Sequence, residues 1–221
     1  SPALAAELDR KNKTELAKVL ESTNMDSGAI AYIRQTRPMG LGHAVWCARR
    51  LIGDEAFAVI LPDDVIAGQT SCLKQMIDAY QQVGGNIVAA MEVPKNKTSD
   101  YGILGATDTS QRIVPVNAMV EKPSPEMAPS NLAVIGRYIL SPDVLSALDG
   151  AGLGVGGEVQ LTDAIAKQIS ADGVYGYRFE GQRFDCGSKA GYLQATVAFG
   201  LAREDLRDEL MAYLYDFASL K

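Results

Sequence analysis

The stretch FAVILPDD, residues 57–64, decides the fold. It begins with a continuous apolar run, Phe57 to Leu61, and ends on a proline and two aspartates. An unbroken apolar run of this length predicts a strand that is covered on both faces, as in a parallel sheet. In an open α/β sheet the ligand crevice lies at the carboxyl ends of the strands. Asp63 and Asp64 are therefore predicted to face a ligand.

Strand-like and helix-like segments alternate on both sides of this stretch. A helical pattern at residues 4–20 precedes a short β-branched run at residues 29–33, which predicts a strand, and a helix is predicted at residues 44–51. Downstream, the pattern predicts a helix at residues 73–83 and a strand at residues 87–93. Alternation of this kind is typical of crossover connections in a mostly parallel sheet.

The second half of the chain changes character. Residues 101–140 carry short strand-like pieces between turn residues, which indicates antiparallel strands added to the sheet. Helical patterns follow from residue 142, with a strand predicted at residues 174–179 and helices from Lys189 to the end. The predicted fold class is α/β, a Rossmann-like mixed but mostly parallel central sheet flanked by helices, in a single domain over residues 1–221.

Charge and hydropathy exclude several kinds of partner. The net charge of −6 argues against binding of nucleic acid or an anionic membrane surface, because a protein that binds a phosphate backbone needs a basic face. No apolar run is long enough to cross a bilayer, and the first residues do not resemble a secretion signal. Three cysteines at distant spacings suit buried thiols in a reducing compartment. The predicted location is the cytoplasm.

Two aspartates at strand ends form the candidate metal site. Asp63 follows the strand described above, and Asp185 follows a second predicted strand in the segment FDCG, residues 184–187. Magnesium is usually held by one or two carboxylates together with substrate phosphates. The alternative is that these aspartates make turns or cap the helices that follow. The spacing alone leaves both interpretations open.

Two further segments combine turn residues with polar side chains. The loop at residues 34–43 leaves a predicted strand through two glycines, which brings backbone close to a base or phosphate, and Gln35 can bond a base edge. For His43, the single histidine, a structural role is favoured.

Glu121 and Lys122 end another apolar strand, where the Glu suits binding of sugar hydroxyls and the Lys suits binding of a phosphate. A solvated turn is the alternative at that site.

Taken together, these segments resemble the sugar nucleotidyltransferase family and, within it, the bacterial UTP–glucose-1-phosphate uridylyltransferases. Their order and spacing cover nearly the whole chain. The matching strings are RQTRPMGLGHAV, FAVILPDDVI, the Tyr101–Gly102 pair, VEKP, SNLAVIGRYIL, GGEVQLTDAI and FDCGSKAGYLQA.

The resemblance implies a nucleotide-diphospho-sugar transferase fold and Mg²⁺ as cofactor. The implied reaction transfers a uridylyl group from UTP to glucose 1-phosphate and gives UDP-glucose and pyrophosphate. Such a transfer needs alignment and charge neutralisation more than a protein nucleophile. The resemblance assigns Gln35 and the Gly40 backbone to binding of uracil, and Asp63 and Asp185 to binding of the metal. It assigns Asp64, Gly102 and Glu121 to the glucose hydroxyls and Lys122 to the phosphoryl groups. Lys122 and Asp63 are implied to be catalytic.

The chain departs from the family pattern in one respect. The family begins with a strand and a glycine-rich loop of the pattern GxGTRxxPxTK, and this segment is not in the sequence. The resemblance therefore predicts an N-terminally truncated domain that is inactive by itself. Two alternatives stay open: a related enzyme for another base or sugar, such as a thymidylyltransferase, or a non-catalytic homologue that binds nucleotide sugars. The apolar helices of residues 188–221 are predicted to lie at a homo-oligomer interface, with packing on their own domain as the open alternative.

Overall fold

The computed structural model describes residues 2–219, which belong to two compact units. The first unit ends at Thr36 and contains helices α1 (Pro2–Arg10) and α2 (Thr14–Ser22). No residue of either helix is buried. Their stability therefore rests on local pairs such as that of Arg10 with Glu7, at 2.7 Å, each of which contributes only a few tenths of a kcal/mol.

The strand predicted at residues 29–33 is wrong. The segment has no regular structure, and Ile30, Tyr32 and Ile33 are 50%, 92% and 45% exposed. A β-branched run becomes a strand only where a neighbouring strand accepts its backbone hydrogen bonds. Within residues 2–36 no strand offers those bonds.

The second unit, from Arg37 onward, contains all the strands of the described chain. The strands are β1 (Phe57–Ile60), β2 (Asp64–Ala67), β3 (Asn86–Glu92), β4 (Gly102–Gly105), β5 (Ile113–Pro115), β6 (Ala118–Glu121), β7 (Leu132–Leu140), β8 (Val174–Arg178) and β9 (Gln182–Asp185). The helices are α3 (Leu41–Cys47), α4 (Arg49–Ile52), α5 (Cys72–Val83), α6 (Asp143–Leu148), α7 (Leu161–Ala166), α8 (Lys189–Ala202) and α9 (Glu204–Ser219), with short 3₁₀ turns at Lys95–Asp100 and Val155–Gly157.

The central sheet confirms the predicted mixed α/β architecture with flanking helices. Its strand order is β5-β8-β3-β7-β4-β6, with β1 also beside β7. Strands β3 and β8 run parallel, whereas the other pairs described are antiparallel, so the antiparallel share is larger than the strand–helix alternation indicated. Strand β1 was expected in a parallel, doubly covered setting, and that expectation is wrong. It lies antiparallel to β7, and only alternate side chains are partly covered.

Strand β7 lies at the centre of the core. Its sequence, LAVIGRYIL, is almost fully buried because helices cover both of its faces. On one face Ile135 packs with Met76 of α5, and on the other Leu132 and Leu140 pack with residues of α6 and α7. Fully burying side chains of this size contributes roughly 1.5–3 kcal/mol each. This core holds β7 in place, and β7 in turn positions the residues around it.

One edge of β7 changes partner along its length. Residues 137–140 pair with β1, whereas Ala133 pairs with Ile103 of β4. Between these pairings, residues 134–136 have no strand partner on this edge within the described chain. We call these three residues the β7 gap. It separates β1 from β4 and leaves a space between them.

Strands β2 and β9 form a separate two-stranded antiparallel sheet, the β2–β9 ribbon. Asp64 lies opposite Asp185 in its register. Helix α8 begins immediately after the ribbon, where Ser188 accepts a hydrogen bond from the Gly191 amide at 3.0 Å. Gly191 permits this close approach, because a methyl group there would overlap the carbonyl oxygen of Asp185. None of the helices in residues 2–219 combines the length and apolar character needed to cross a membrane.

Candidate active site

A cleft of about 470 Å³ opens at the β7 gap. Val134 and Gly136 of the gap line it, as does Tyr138 further along β7. The β1–β2 connection and the end of β9 form one side, and the starts of β4 and α7 form the other. The predicted site residues that line the cleft are Asp63, Asp64, Gly102, Glu121, Lys122 and Asp185.

The two proposed metal ligands, Asp63 and Asp185, face one small space. The Cys186 amide donates a hydrogen bond to the Asp63 carbonyl at 2.7 Å, which joins the ends of the two segments. A methyl group built on Gly187 would lie 3.1 Å from Oδ2 of Asp63 and 3.2 Å from Oδ1 of Asp185. The absent side chain of Gly187 thus leaves room beside both carboxylates.

This donor set fits a hard divalent cation that completes its coordination with substrate. No group of three or more His, Cys, Asp or Glu side chains in residues 2–219 has metal-binding geometry. A self-sufficient protein cage is therefore not formed by this part of the chain. A cation such as Mg²⁺, which takes one or two carboxylates and fills its other positions with phosphates and water, suits Asp63 and Asp185.

Asp64 is buried and already bonded by the protein. Its Oδ2 accepts the Gly136 amide at 2.8 Å, and its Oδ1 accepts Nε of Arg183. Gly136 belongs to the β7 gap, so Asp64 satisfies an amide that has no strand partner. The predicted contact of Asp64 with glucose hydroxyls stays a prediction, and a sugar there would have to share these oxygens.

The opposite side of the cleft is formed by Gly102, Glu121 and Thr162, which we call the Glu121 side. Gly102 pairs with Glu121 across β4 and β6, and Thr162 donates its hydroxyl to Oε2 of Glu121 at 2.7 Å. A methyl group on Gly102 would lie 3.2 Å from that Oε2 atom. Gly102 therefore keeps the nearly buried Glu121 carboxylate accessible from the cleft.

Lys122 follows in a left-handed backbone conformation, with φ of 46°. Its amide donates to the Tyr101 carbonyl at 3.0 Å, and its Nζ lies 3.9 Å from Oε1 of Glu121. A non-glycine residue in this conformation costs about 1–3 kcal/mol, and such strain is concentrated at functional sites. The turn directs Lys122 to the cleft instead of continuing the strand.

The cleft is strongly acidic. Burial raises the pKa of Tyr138 above its ordinary range, and the charges of Asp64, Glu121 and Asp63 raise it further. Burial disfavours the charged form of Arg183, but hydrogen bonds to Asp64 and Tyr101 outweigh this and raise its pKa. An anionic ligand therefore needs additional positive charge. In the described chain, the lining carboxylates are Asp63, Asp64, Asp100, Glu121, Glu158 and Asp185, and the lining cations are Lys122 and Arg183.

Several lining residues were not identified from the sequence, and three of them make informative contacts. Tyr138 lies in an apolar strand, so its sequence context predicts a residue of the hydrophobic core. Thr162 stands in a helical pattern without a local signal for its bond to Glu121. Arg183 had one usable signal, because it stands two residues before Asp185 and residues two apart lie on the same face of a strand.

The predicted base-binding residues lie apart from these groups in the sequence. Gln35 belongs to the first unit. Gly40 precedes α3 with φ of 94°, and a methyl group there would lie 2.7 Å from Cβ of Glu158, a cleft residue. His43 stacks on Trp46 with ring centroids 5.7 Å apart and is not among the cleft-lining residues.

The family model for nucleotidyl transferases matches residues 7–200 of the chain. A UTP–glucose-1-phosphate uridylyltransferase of Bacillus subtilis is 44% identical over 215 residues, which span 97% of this chain and 73% of the relative.

Solved structures agree with the sequence comparison. A UDP-glucose pyrophosphorylase from Acinetobacter baumannii superposes with a TM-score of 0.87 at 33% identity, over 98% of this chain and 76% of that one. A UDP-glucose pyrophosphorylase complexed with UDP-glucose has a TM-score of 0.75 at 43% identity, over 78% of this chain and 66% of that one. The chain therefore belongs to the nucleotidyl transferase family, in which the relatives compared above are a UTP–glucose-1-phosphate uridylyltransferase and two UDP-glucose pyrophosphorylases.

Proposed function

We propose that the full-length protein transfers a uridylyl group from UTP to glucose 1-phosphate and produces UDP-glucose and pyrophosphate. One observation carries the proposal: a single cleft has a carboxylate pair, Asp63 and Asp185, on one side and Glu121 with Lys122 on the other. This arrangement suits two anionic substrates that must meet end to end. The names of the relatives support the same reaction.

The chemistry requires no nucleophile from the protein. A phosphate oxygen of glucose 1-phosphate attacks the α-phosphorus of UTP, and the bond to the departing pyrophosphate breaks in line. Glu121, held by Thr162, accepts hydrogen bonds from glucose hydroxyls beside Gly102. Lys122 offsets the charge of the phosphoryl groups. The protein contributes alignment and charge, which are the main requirements of phosphoryl transfer.

Nucleotidyl transferases of this kind generally use a divalent metal ion. We propose Mg²⁺, with Asp63 and Asp185 as its protein ligands. The bound ion would neutralise phosphate charge in a cleft whose own charge is negative. The position of one carboxylate oxygen of Asp63 and one of Asp185 beside Gly187 supports this assignment.

Recognition of the base is assigned to Gln35 and to the Gly40 backbone. The amide of a glutamine side chain both donates and accepts, so it can read the edge of uracil. Gly40 borders Glu158 of the cleft, which supports a base position at that end. These two roles stay predictions.

We also propose a homo-oligomer in the cytoplasm. Helices α8 and α9 expose large apolar side chains, among them Tyr192, Leu193 and Phe199. Exposed apolar clusters of this kind typically mark interaction surfaces. Free thiols at Cys47 and Cys72 suit a reducing compartment.

The test is a substrate panel with the purified full-length protein. UTP or dTTP is incubated with glucose 1-phosphate or galactose 1-phosphate in the presence of Mg²⁺, and pyrophosphate and nucleotide sugar are quantified. UDP-glucose should form fastest, although one methyl group on the base discriminates by only about 1–3 kcal/mol. Faster formation of dTDP-glucose would favour the thymidylyl alternative. Binding of UDP-glucose without turnover would favour a non-catalytic homologue.

A further inference from the structure

Arg183 holds together three chain segments around the cleft. Its Nε donates to Oδ1 of Asp64, and its Nη1 donates to the Tyr101 hydroxyl at 3.0 Å. The other carboxylate oxygen of Asp64 accepts the Gly136 amide at 2.8 Å. The guanidinium therefore links the β2–β9 ribbon, the start of β4 and the β7 gap.

The groups that form this linkage are nearly buried, and their geometry is therefore well defined. The side chains of Arg183 and Asp64 are only 12% and 11% exposed. The guanidinium also lies over the Tyr101 ring, 5.3 Å from its centroid. A planar fork with several fixed donors sets the geometry of its partners, which a lysine ammonium on a flexible stem does not. Arg183 is thus suited to set distances between segments as well as to supply charge.

The linked segments carry the two sides of the cleft. Arg183 stands two residues before Asp185 on β9, so both side chains lie on one face of the ribbon, and both line the cleft. Tyr101 directly precedes Gly102, which belongs to the Glu121 side. A shift of Arg183 would therefore move one side of the cleft relative to the other.

We propose that Arg183 is a positioning residue that sets the distance between the Asp185 carboxylate and the Glu121 side of the cleft. The inference rests on the proposed function, in which these two sides hold the nucleotide with its metal and the sugar phosphate. Rates of such transfers depend steeply on alignment, and a misplacement of about 1 Å can cost about 100-fold. Arg183 acts through its partners and need not touch the reacting atoms.

Two variants and one matched control test this role. Arg183→Lys keeps the positive charge but loses the fork, and Tyr101→Phe keeps the ring and the ion pair but loses one hydrogen bond. Arg112→Lys is the control, because Arg112 bonds a tyrosine hydroxyl, that of Tyr177 at 3.2 Å, and the carboxylate of Glu180 at 2.6 Å, and is not among the cleft-lining residues.

Steady-state kinetics and calorimetric binding of UDP-glucose, each with and without Mg²⁺, give the readouts. Arg183→Lys should lower kcat about tenfold or more while the KM for UTP stays within about twofold. It should also lose the Mg²⁺ dependence of UDP-glucose binding, and Tyr101→Phe should show the same pattern more weakly. Arg112→Lys should match the unaltered protein in both measurements.

Three results would overturn the inference. The first is unchanged kcat and unchanged Mg²⁺ dependence in folded Arg183→Lys, which would leave Arg183 a purely structural role. The second is an equal loss in Arg112→Lys. If Arg183→Lys does not fold, an unaltered kcat in Tyr101→Phe is the third. Failure of the unaltered protein to bind UDP-glucose would instead overturn the proposed function itself.

Discussion

Glu121 offers a selective test at the scale of single residues. Its Oε2 is held by Thr162, and the carboxylate faces the proposed sugar site. Glu121→Ala should raise the KM for glucose 1-phosphate about tenfold or more, because a hydrogen bond to a charged group contributes roughly 1.5–3 kcal/mol. The KM for UTP should stay unchanged in the same steady-state assay. Glu55→Ala, at an exposed site, is the control, and an equal effect on both substrates would argue against a sugar role.

Asp63 and Asp185 should each be needed for turnover. Asp63→Asn and Asp185→Asn keep the side-chain volume but remove a charge from the proposed metal site. Each should lower kcat by roughly 100-fold or more, the loss expected for a preorganised electrostatic contact. Mn²⁺ binding followed by electron paramagnetic resonance should weaken in parallel. Asp54→Asn serves as the control. Normal turnover of Asp63→Asn or Asp185→Asn at limiting metal would show that the aspartate replaced in that variant is not a metal ligand.

Cys72 makes stability depend on pH in the alkaline range. Burial raises the pKa of its thiol to about 11 from 9.0, and the charge of Arg137 offsets only part of this. Between these values the unfolded chain has lost the thiol proton and the folded protein has kept it. The free energy of unfolding should therefore fall as the pH rises through this window.

Urea unfolding of the unaltered protein and of Cys72→Ala across the alkaline range measures the effect. The Cys72 contribution to the pH dependence should vanish in Cys72→Ala and persist in Cys47→Ala, which removes a half-buried thiol. Identical pH dependence in the unaltered protein and Cys72→Ala would show that this thiol does not contribute.

The sequence located residues that reach the cleft because they stand at strand ends. Asp63, Glu121 and Asp185 each stand at or beside the end of a predicted strand, and the structure brings all three to one cleft. Arg183 was missed because its partner Asp64 is 119 positions away along the chain. Pairing over such a separation depends on the register of β2 with β9, which local patterns do not specify.

At the scale of elements, the β9–α8 connection controls access to the carboxylate pair. Gly187→Ala would place a methyl group 3.1 Å from Asp63 and 3.2 Å from Asp185, in the space proposed for the cation. We expect about tenfold weaker metal activation, with kcat at saturating metal less affected. Gly152→Ala is the control, because a methyl group there would meet nothing within 4 Å. An unchanged metal requirement in Gly187→Ala would argue against a cation in this space.

Elements were predicted well where their pattern was long and their neighbours were nearby in sequence. Helix α5 was predicted within one residue, since Ser71 caps its start and Gly84 ends it. The strand at residues 29–33 failed because propensity does not supply a pairing partner. The β7 gap was not predicted, because the sequence of a strand does not show whether one strand or two successive strands pair along its edge.

At the scale of the whole molecule, the exposed apolar face of α8 predicts self-association. Leu193→Glu should shift the molar mass measured by light scattering toward that of a monomer, since it places a charge on this face. Leu51→Glu is a matched control, because Leu51 and Leu193 are both 63% exposed. A monomeric unaltered protein, or an equal shift in both variants, would contradict an interface on α8.

The bond between Gly136 and Asp64 turns one backbone amide into a reporter of the site. The amides of a central strand usually exchange with solvent only when the sheet opens, because neighbouring strands protect them. The Gly136 amide is held by a carboxylate instead, at 2.8 Å. Its exchange with deuterium should accelerate when the Asp64 side chain turns away, while the amides of Ile135 and Ile139 stay protected. Deuterium uptake at this one position would therefore follow local rearrangement of the cleft separately from the opening of the sheet.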